Sequence, residues 1–323
     1  MPENPANLHV VGRTADGQLW HTIRSPTGWT AFGDVLAAAG LPSLRGHVVD
    51  VACSRRVAGG SPVVEGLYVL VALDDQPPRL LLRSSNDGTW SQQPGAFFPT
   101  ARKVAAGTLT TLSSPLRNEI HLAAVTDDGH LVSAVHDVSA TQPVLPDDVE
   151  LTAGEIGDVR AAALSTIVAI GVSGVSLLAV TADGNLLEST GRSGQWRFFA
   201  QVIAGIVGQP VPADAIDVSL ARQGIVLVTG DGRVWLAIYL PNDPNNRLSS
   251  WQDLELSNVG LSDVGTFATV AAASTTQGMH VVGTTTDGHL WHQLRPSPSA
   301  VFRDVEAVGV GLDAGSFTAV DCG

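Results

Sequence analysis

The 323-residue chain sets 31 acidic against 18 basic residues, a formal charge of −13, and 44% of it is hydrophobic while only 15% is charged. That balance excludes a disordered chain, and with no Lys/Arg cluster to override the average it excludes a partner with a phosphate backbone, so no nucleic acid is expected. The two cysteines, Cys53 and Cys322, are too few for a disulfide framework or a thiolate zinc site.

Taken in chain order, the predicted elements repeat. Met1-Pro-Glu-Asn-Pro5 has neither the basic nor the apolar region of a signal peptide, and no apolar run is long enough to span a bilayer. A soluble protein is expected, cytoplasmic or secreted without a recognisable signal. Leu8-His-Val-Val-Gly-Arg-Thr-Ala-Asp-Gly-Gln-Leu-Trp-His21 is an apolar β-rich run, an Asp-Gly turn and a second apolar run, the pattern of a tight hairpin. It is followed by Gly28-Trp29, a further strand, and then by the only stretch with weak helical periodicity, Val35–Gly40.

The same order returns along the chain. A small-residue run (Val48–Ala52) precedes a degenerate hairpin at Leu67–Asp75, where Pro77-Pro78 follow and the turn glycine is missing, and then Gly88-Thr-Trp90. Lys103–Ala106 precedes the hairpin Ile120–Leu131, Val159–Ala163 precedes Val175–Leu186 with Gly194-Gln-Trp196, and Ile216–Ser219 precedes Ile225–Trp235 with Ser250-Trp251. Ala268–Ala272 leads into Met279–His292, nearly a copy of the first hairpin, and the chain ends on Phe317–Val320, another small-residue run.

Four strands per unit, with the small-residue strand innermost and the Trp strand outermost, make the blade of a propeller. Six units of about 54 residues fit the lengths of known propeller repeats. The prediction is a single all-β domain over residues 1–323, a six-bladed propeller of four-stranded antiparallel blades. Because the chain opens on a second strand and closes on a first, the C-terminal strand is expected to complete the N-terminal blade and remove the open edges.

Two sets of residues draw attention. Trp20-His21 and Trp291-His292 lie on the third strands of blades one and six, neighbours across the closure, and Trp235 has the equivalent place in blade five. A Trp face suits the C–H face of a sugar ring and a His supplies directional polar contact. Strand alternation points the two to opposite sheet faces, so a cleft would combine the Trp of one blade with the His of the next. The competing role for these tryptophans is packing between blades. The second set comes from aligning the innermost strands, which places Asp50, Lys103, Arg160, Asp217, Thr269 and Thr318 in one polar ring around a central channel, with His47 and Asp158 near its mouth. Lys103 is the only lysine of the chain; with a depressed pKa it would act as base or nucleophile, and otherwise the ring is a charge-paired network.

The hairpin pattern Asp-Gly-x-Leu-Trp followed by Gly-x-Trp resembles tectonin-type propellers and the bacterial fucose-binding (PLL-like) propeller lectins, over nearly the whole chain, although those lectins carry seven repeats. The resemblance implies sugar sites in clefts between adjacent blades. The primary expectation is thus a lectin-like module for a glycan or small-molecule ligand, with no cofactor and no metal. Two alternatives stand beside it: an enzyme using the asymmetric pocket at the channel mouth, and a protein-interaction platform.

Overall fold

The computed structural model describes residues 4–57, 64–95, 98–110, 118–127, 131–137, 147–148, 161–164, 168–169, 175–181, 184, 186–192, 195–196, 200–201, 209–240, 248–254, 264–295, 302–305 and 316–323. Their strands form six antiparallel sheets, each built outward from an inner strand. Blade one contains Leu8–Thr14, Leu19–Ser25 and Gly28–Trp29, with Gly33–Asp34 also on its outer edge, and its inner strand is the C-terminal Phe317–Cys322. Val10 pairs with Cys322 and Gly12 with Val320, so the ring closes as the repeat order predicts.

Blade two runs outward from Val48–Val57 to Trp90–Gln92, and blade three from Ala101–Thr110 to Asp147–Asp148. Blade four starts at Ala161–Leu164, blade five at Ala215–Ala221 and blade six at Phe267–Thr275. Each inner strand lies beside that of the next blade, and the contacts close around the ring from blade six to blade one. The α-helix Val35–Ala38 is a single turn capped by Asp34, whose carboxylate accepts from the Ala37 N–H. No helix is long and apolar enough to cross a membrane.

Small residues dominate the inner strands because six of them converge on one axis, and larger side chains fill the wedges that widen outward. Phe267, Phe302 and Phe317, all at most 1% exposed, fill wedges on either side of blade six. The Asp-Gly turns do a second task besides reversing the chain. Gly17, Gly232 and Gly288 all have positive φ, and a Cβ on any of them would strike the segment leading into the next inner strand. Carbonyls of the turn glycines accept backbone N–H bonds there, from Gly46, Phe267 and Phe317. Each turn therefore locks one blade to the following one.

A bulge at the start of each inner strand changes the ring expected from sequence alignment. Thr14 pairs with Phe317, Leu73 with Val48, and Thr229 with Ala215, each followed by a register shift. Counting from those anchors puts Ala319 beside Asp50, Lys103, Asp217 and Thr269, with Thr318 at the bulge. In blade four the equivalent place falls to Ala163, since Ala161 pairs with Thr181. Thr318 thus drops out of the aligned ring. The physical reason is that the inner strands are runs of small residues without an internal marker, so the sequence leaves their alignment free by one position, which the shared bulge then fixes.

Candidate functional site

The clefts between blades are built by strand alternation. In blade one, Trp20, Thr22 and Arg24 share the face toward blade six, while His21 and Ile23 face blade two. Register extends each set across the sheet: Arg24 stands opposite Trp29 and His9 opposite Ile23. Opposed residues project from the same face.

Two clefts carry the same construction. Between blades one and two, His9 Nδ1 lies 2.9 Å from His21 Nε2, the rings stack at 5.1 Å, and Trp90 of blade two meets His21 edge-on at 5.4 Å. Arg83, opposite Trp90 in blade two, is close enough for its charge to act on His21. Between blades six and one, His280 Nδ1 lies 2.9 Å from His292 Nε2, the rings stack at 5.2 Å, and Trp29 of blade one meets His292 edge-on at 5.1 Å. Arg24 stands opposite Trp29 and acts on both histidines. In each case a buried His pair forms the floor, and a half-buried Trp and Arg from the following blade form the wall.

Burial, followed by the partner histidine and the neighbouring arginines, keeps the floor neutral. It lowers His292 to about 3 and His280 to about 4, and lowers His21 well below the usual range. A His–His hydrogen bond needs one ring to donate and one to accept, which neutral imidazoles satisfy. Thr275 Oγ1, 2.9 Å from His280 Nε2, extends the six–one pair. On the wall, burial makes Arg24 less basic and Arg303 adds repulsion; Arg24 Nη1 is buried with no hydrogen-bond partner. A buried donor without an acceptor is costly, and a ligand oxygen would relieve it.

Two of the other clefts differ at these positions. His136 takes the place of Arg24 in blade three and faces Tyr68 at 6.5 Å. Tyr239 takes it in blade five, opposite a floor in which Ser176 donates to Glu188 at 2.7 Å. Burial raises the Glu188 carboxyl.

The residues singled out from sequence are distributed as follows. His21 and His292 lie in the two floors. Trp20, half-buried, packs with Phe32, Phe317 and Leu290 in the six–one wedge, Trp291 packs among the blade five and six residues, and Trp235 donates to Thr229 Oγ1 at 3.3 Å beside the blade four and five core. The ring contacts of His21 and His292 are made with Trp90 and Trp29. Sequence reasoning read Trp29 and Trp90 only as outer-strand markers and passed over Arg24 and Arg83. The signal was present: counted from the repeat, Arg24, Arg83 and Arg295 occupy one position, four residues after Trp20, Arg79 and Trp291.

The channel set is a charge network. Lys103 Nζ is 3.6 Å from Asp50 Oδ1, and Asp50 holds the amine above its ordinary value. Inner-strand carboxylates also bind the next blade directly: Asp50 accepts from Val104 N at 3.0 Å, Asp217 from Val270 N at 2.8 Å and Asp321 from Cys53 N at 2.6 Å. Burial pushes Asp217 up to about 6. The cavity among them is about 30 Å³, room for about two waters. His47 is half-buried and turned to Asp74, 2.9 Å from its Nδ1, which raises its pKa. Asp158 and Arg160 lie outside the described residues. Cys53 and Cys322 are buried free thiols.

No protein-family model matches the chain, and no curated protein matches it. Solved structures do. AofleA from Arthrobotrys oligospora matches at a TM-score of 0.64 with 12% identity, over 95% of this chain and 87% of that one. A mutant of the Aleuria aurantia lectin in complex with Fucα1-6GlcNAc matches at 0.61 with 13% identity over 96% and 94%. SapL1 lectin in complex with α-methyl fucoside matches at 0.56 with 14% identity over 96% and 95%. The chain has the fold of these lectin propellers. A further structure of the Aleuria lectin is described as a six-bladed β-propeller, in agreement with the six sheets found here.

Proposed function

We propose that this propeller is a carbohydrate-binding module whose ligands enter the six–one and one–two clefts. The observation behind this reading is the repeated assembly of a half-buried Trp and Arg over a neutral, buried His pair, present twice with closely matching geometry. Trp29 and Trp90 offer an apolar face to the C–H side of a pyranose, and Arg24 and Arg83 offer fixed guanidinium donors to its hydroxyls. His21 and His292 hold those tryptophans from below. Trp20, Trp235 and Trp291 pack the wedges between blades, and the first of these sits beside the six–one cleft. The fold shared with fucoside-bound lectins supports the reading.

The channel gives the enzyme alternative little support, since Lys103 is held as a cation by Asp50 and the cavity among the described residues is about 30 Å³. A glycan array with the purified chain, followed by titration calorimetry on the hits, tests the proposal. The expected outcome is binding that falls at least tenfold in Trp29→Ala with Trp90→Ala, while both substitutions leave the fold intact by circular dichroism. Absence of binding to every glycan would overturn it.

A further inference from the structure

The two clefts match in floor, Trp and Arg, and differ at one place on the wall that the earlier blade supplies. Arg303 stands opposite His292 in register, on the face of blade six that Trp29 meets. The corresponding residue opposite His21 is Gly33. Arg303 is exposed, and its charge reaches both Arg24 and His292. Among the described residues neither Arg24 nor Arg303 has a carboxylate partner. In a chain of net charge −13, two facing guanidinium groups without a counter-charge are an unfavourable arrangement in the empty cleft that an anion would reverse.

Resting on the carbohydrate reading, we infer that the six–one cleft selects an anionic saccharide, one bearing a carboxylate or a sulfate, and that Arg303 is the residue that sets this preference over the neutral ligand of the one–two cleft. The acid group sits between the two guanidinium forks, accepting from the otherwise unpartnered Arg24 Nη1, while the ring lies on Trp29. Guanidinium forks bind such oxyanions with charge-assisted, bidentate hydrogen bonds. The one–two cleft has Arg83 and, opposite His21, Gly33 in place of Arg303, so at that position it offers no second cation. Gly33 has ordinary backbone conformation, and a Cβ there would meet nothing closer than 4.0 Å, so a longer side chain is accommodated.

The test is a glycan array presenting neutral, sialylated, uronate-terminated and sulfated glycans, probed with the full chain, with Arg303→Gly and with Gly33→Arg. Calorimetry with N-acetylneuraminic acid and galactose 6-sulfate then separates carboxylate from sulfate. The acidic-to-neutral affinity ratio should fall about tenfold in Arg303→Gly, the size of one charge-assisted hydrogen bond, and acidic binding should weaken with added salt. Gly33→Arg should raise the acidic stoichiometry from one site to two. If neutral glycans bind and the ratio is the same in all three proteins, the inference falls and the carbohydrate reading stands. If no glycan binds any of them, both fall.

Discussion

At the scale of single residues, the buried histidine pairs make the molecule acid-sensitive. His280 and His292 have folded pKa values depressed to about 4 and about 3, below the unfolded value of about 6.5. The stability they contribute is therefore present above pH 6.5 and is lost as pH falls toward those values. Thr275, Trp29, Arg24, Arg303 and Arg55 face the pair, and the arginines add repulsion to any proton taken up. Asp217 works the other way: raised to about 6, it favours the fold below its unfolded value near 3.8 and costs stability as pH rises through 6. Comparing variants separates the two. Urea midpoints at pH 7 and pH 5 should show wild type losing about 2 kcal/mol more than His292→Gln, because Gln keeps a hydrogen-bonding amide that does not titrate. Equal losses would mean that the pair is not kept neutral.

Lys103 belongs to the same scale. Its ammonium is the cation next to Asp50 and within reach of Asp217. Lys103→Met should cost about 2–3 kcal/mol in urea unfolding, since it leaves the buried Asp50 and the half-buried Asp217 without their cation. Glycan affinity should be untouched, because the lysine lines the channel and not a cleft. A loss of binding at full stability would return attention to the channel.

At the scale of elements, the hairpins owe their precision to contacts outside themselves. Gly288 has φ +92°, and a Cβ there would lie 2.4 Å from Ser316 Cβ, whereas Gly40, at φ +73°, has nothing within 4 Å. Both positions disfavour alanine conformationally by about 1 kcal/mol. Only Gly288→Ala also pushes a blade away from its neighbour. Thermal denaturation should show it costing at least about 2 kcal/mol more than Gly40→Ala, the scale of an overpacked contact. The hairpins themselves were legible in the sequence, because Asp-Gly between apolar runs reports turn geometry locally. The exact alignment of the inner strands was not: Ala319, and not Thr318, takes the place of Asp50, because a run of small residues carries no marker that fixes it to within one position.

At the scale of the whole molecule, the last strand holds the ring. Phe317–Cys322 pairs with Leu8–Thr14, and Asp321 reaches on to Cys53 N in blade two. Deleting residues 316–323 opens an edge on blade one and exposes the apolar side of blade six, so the chain should unfold at much lower denaturant and aggregate, as followed by light scattering. A truncated chain of unchanged stability would mean that the ring does not depend on closure.

The sequence by itself determined the architecture: the number of repeats, the four-strand unit, the closing strand and the tryptophan and histidine positions worth watching. These are local signals, since turns, alternation and residue size act within a few positions. Only the tertiary structure decided which of those residues meet. Trp29 touches His292 from near the opposite end of the chain because blade one follows blade six in space, and Arg303 faces Arg24 because opposed strands share a sheet face. A cleft is a relation between two blades, and no window of sequence contains both of its walls.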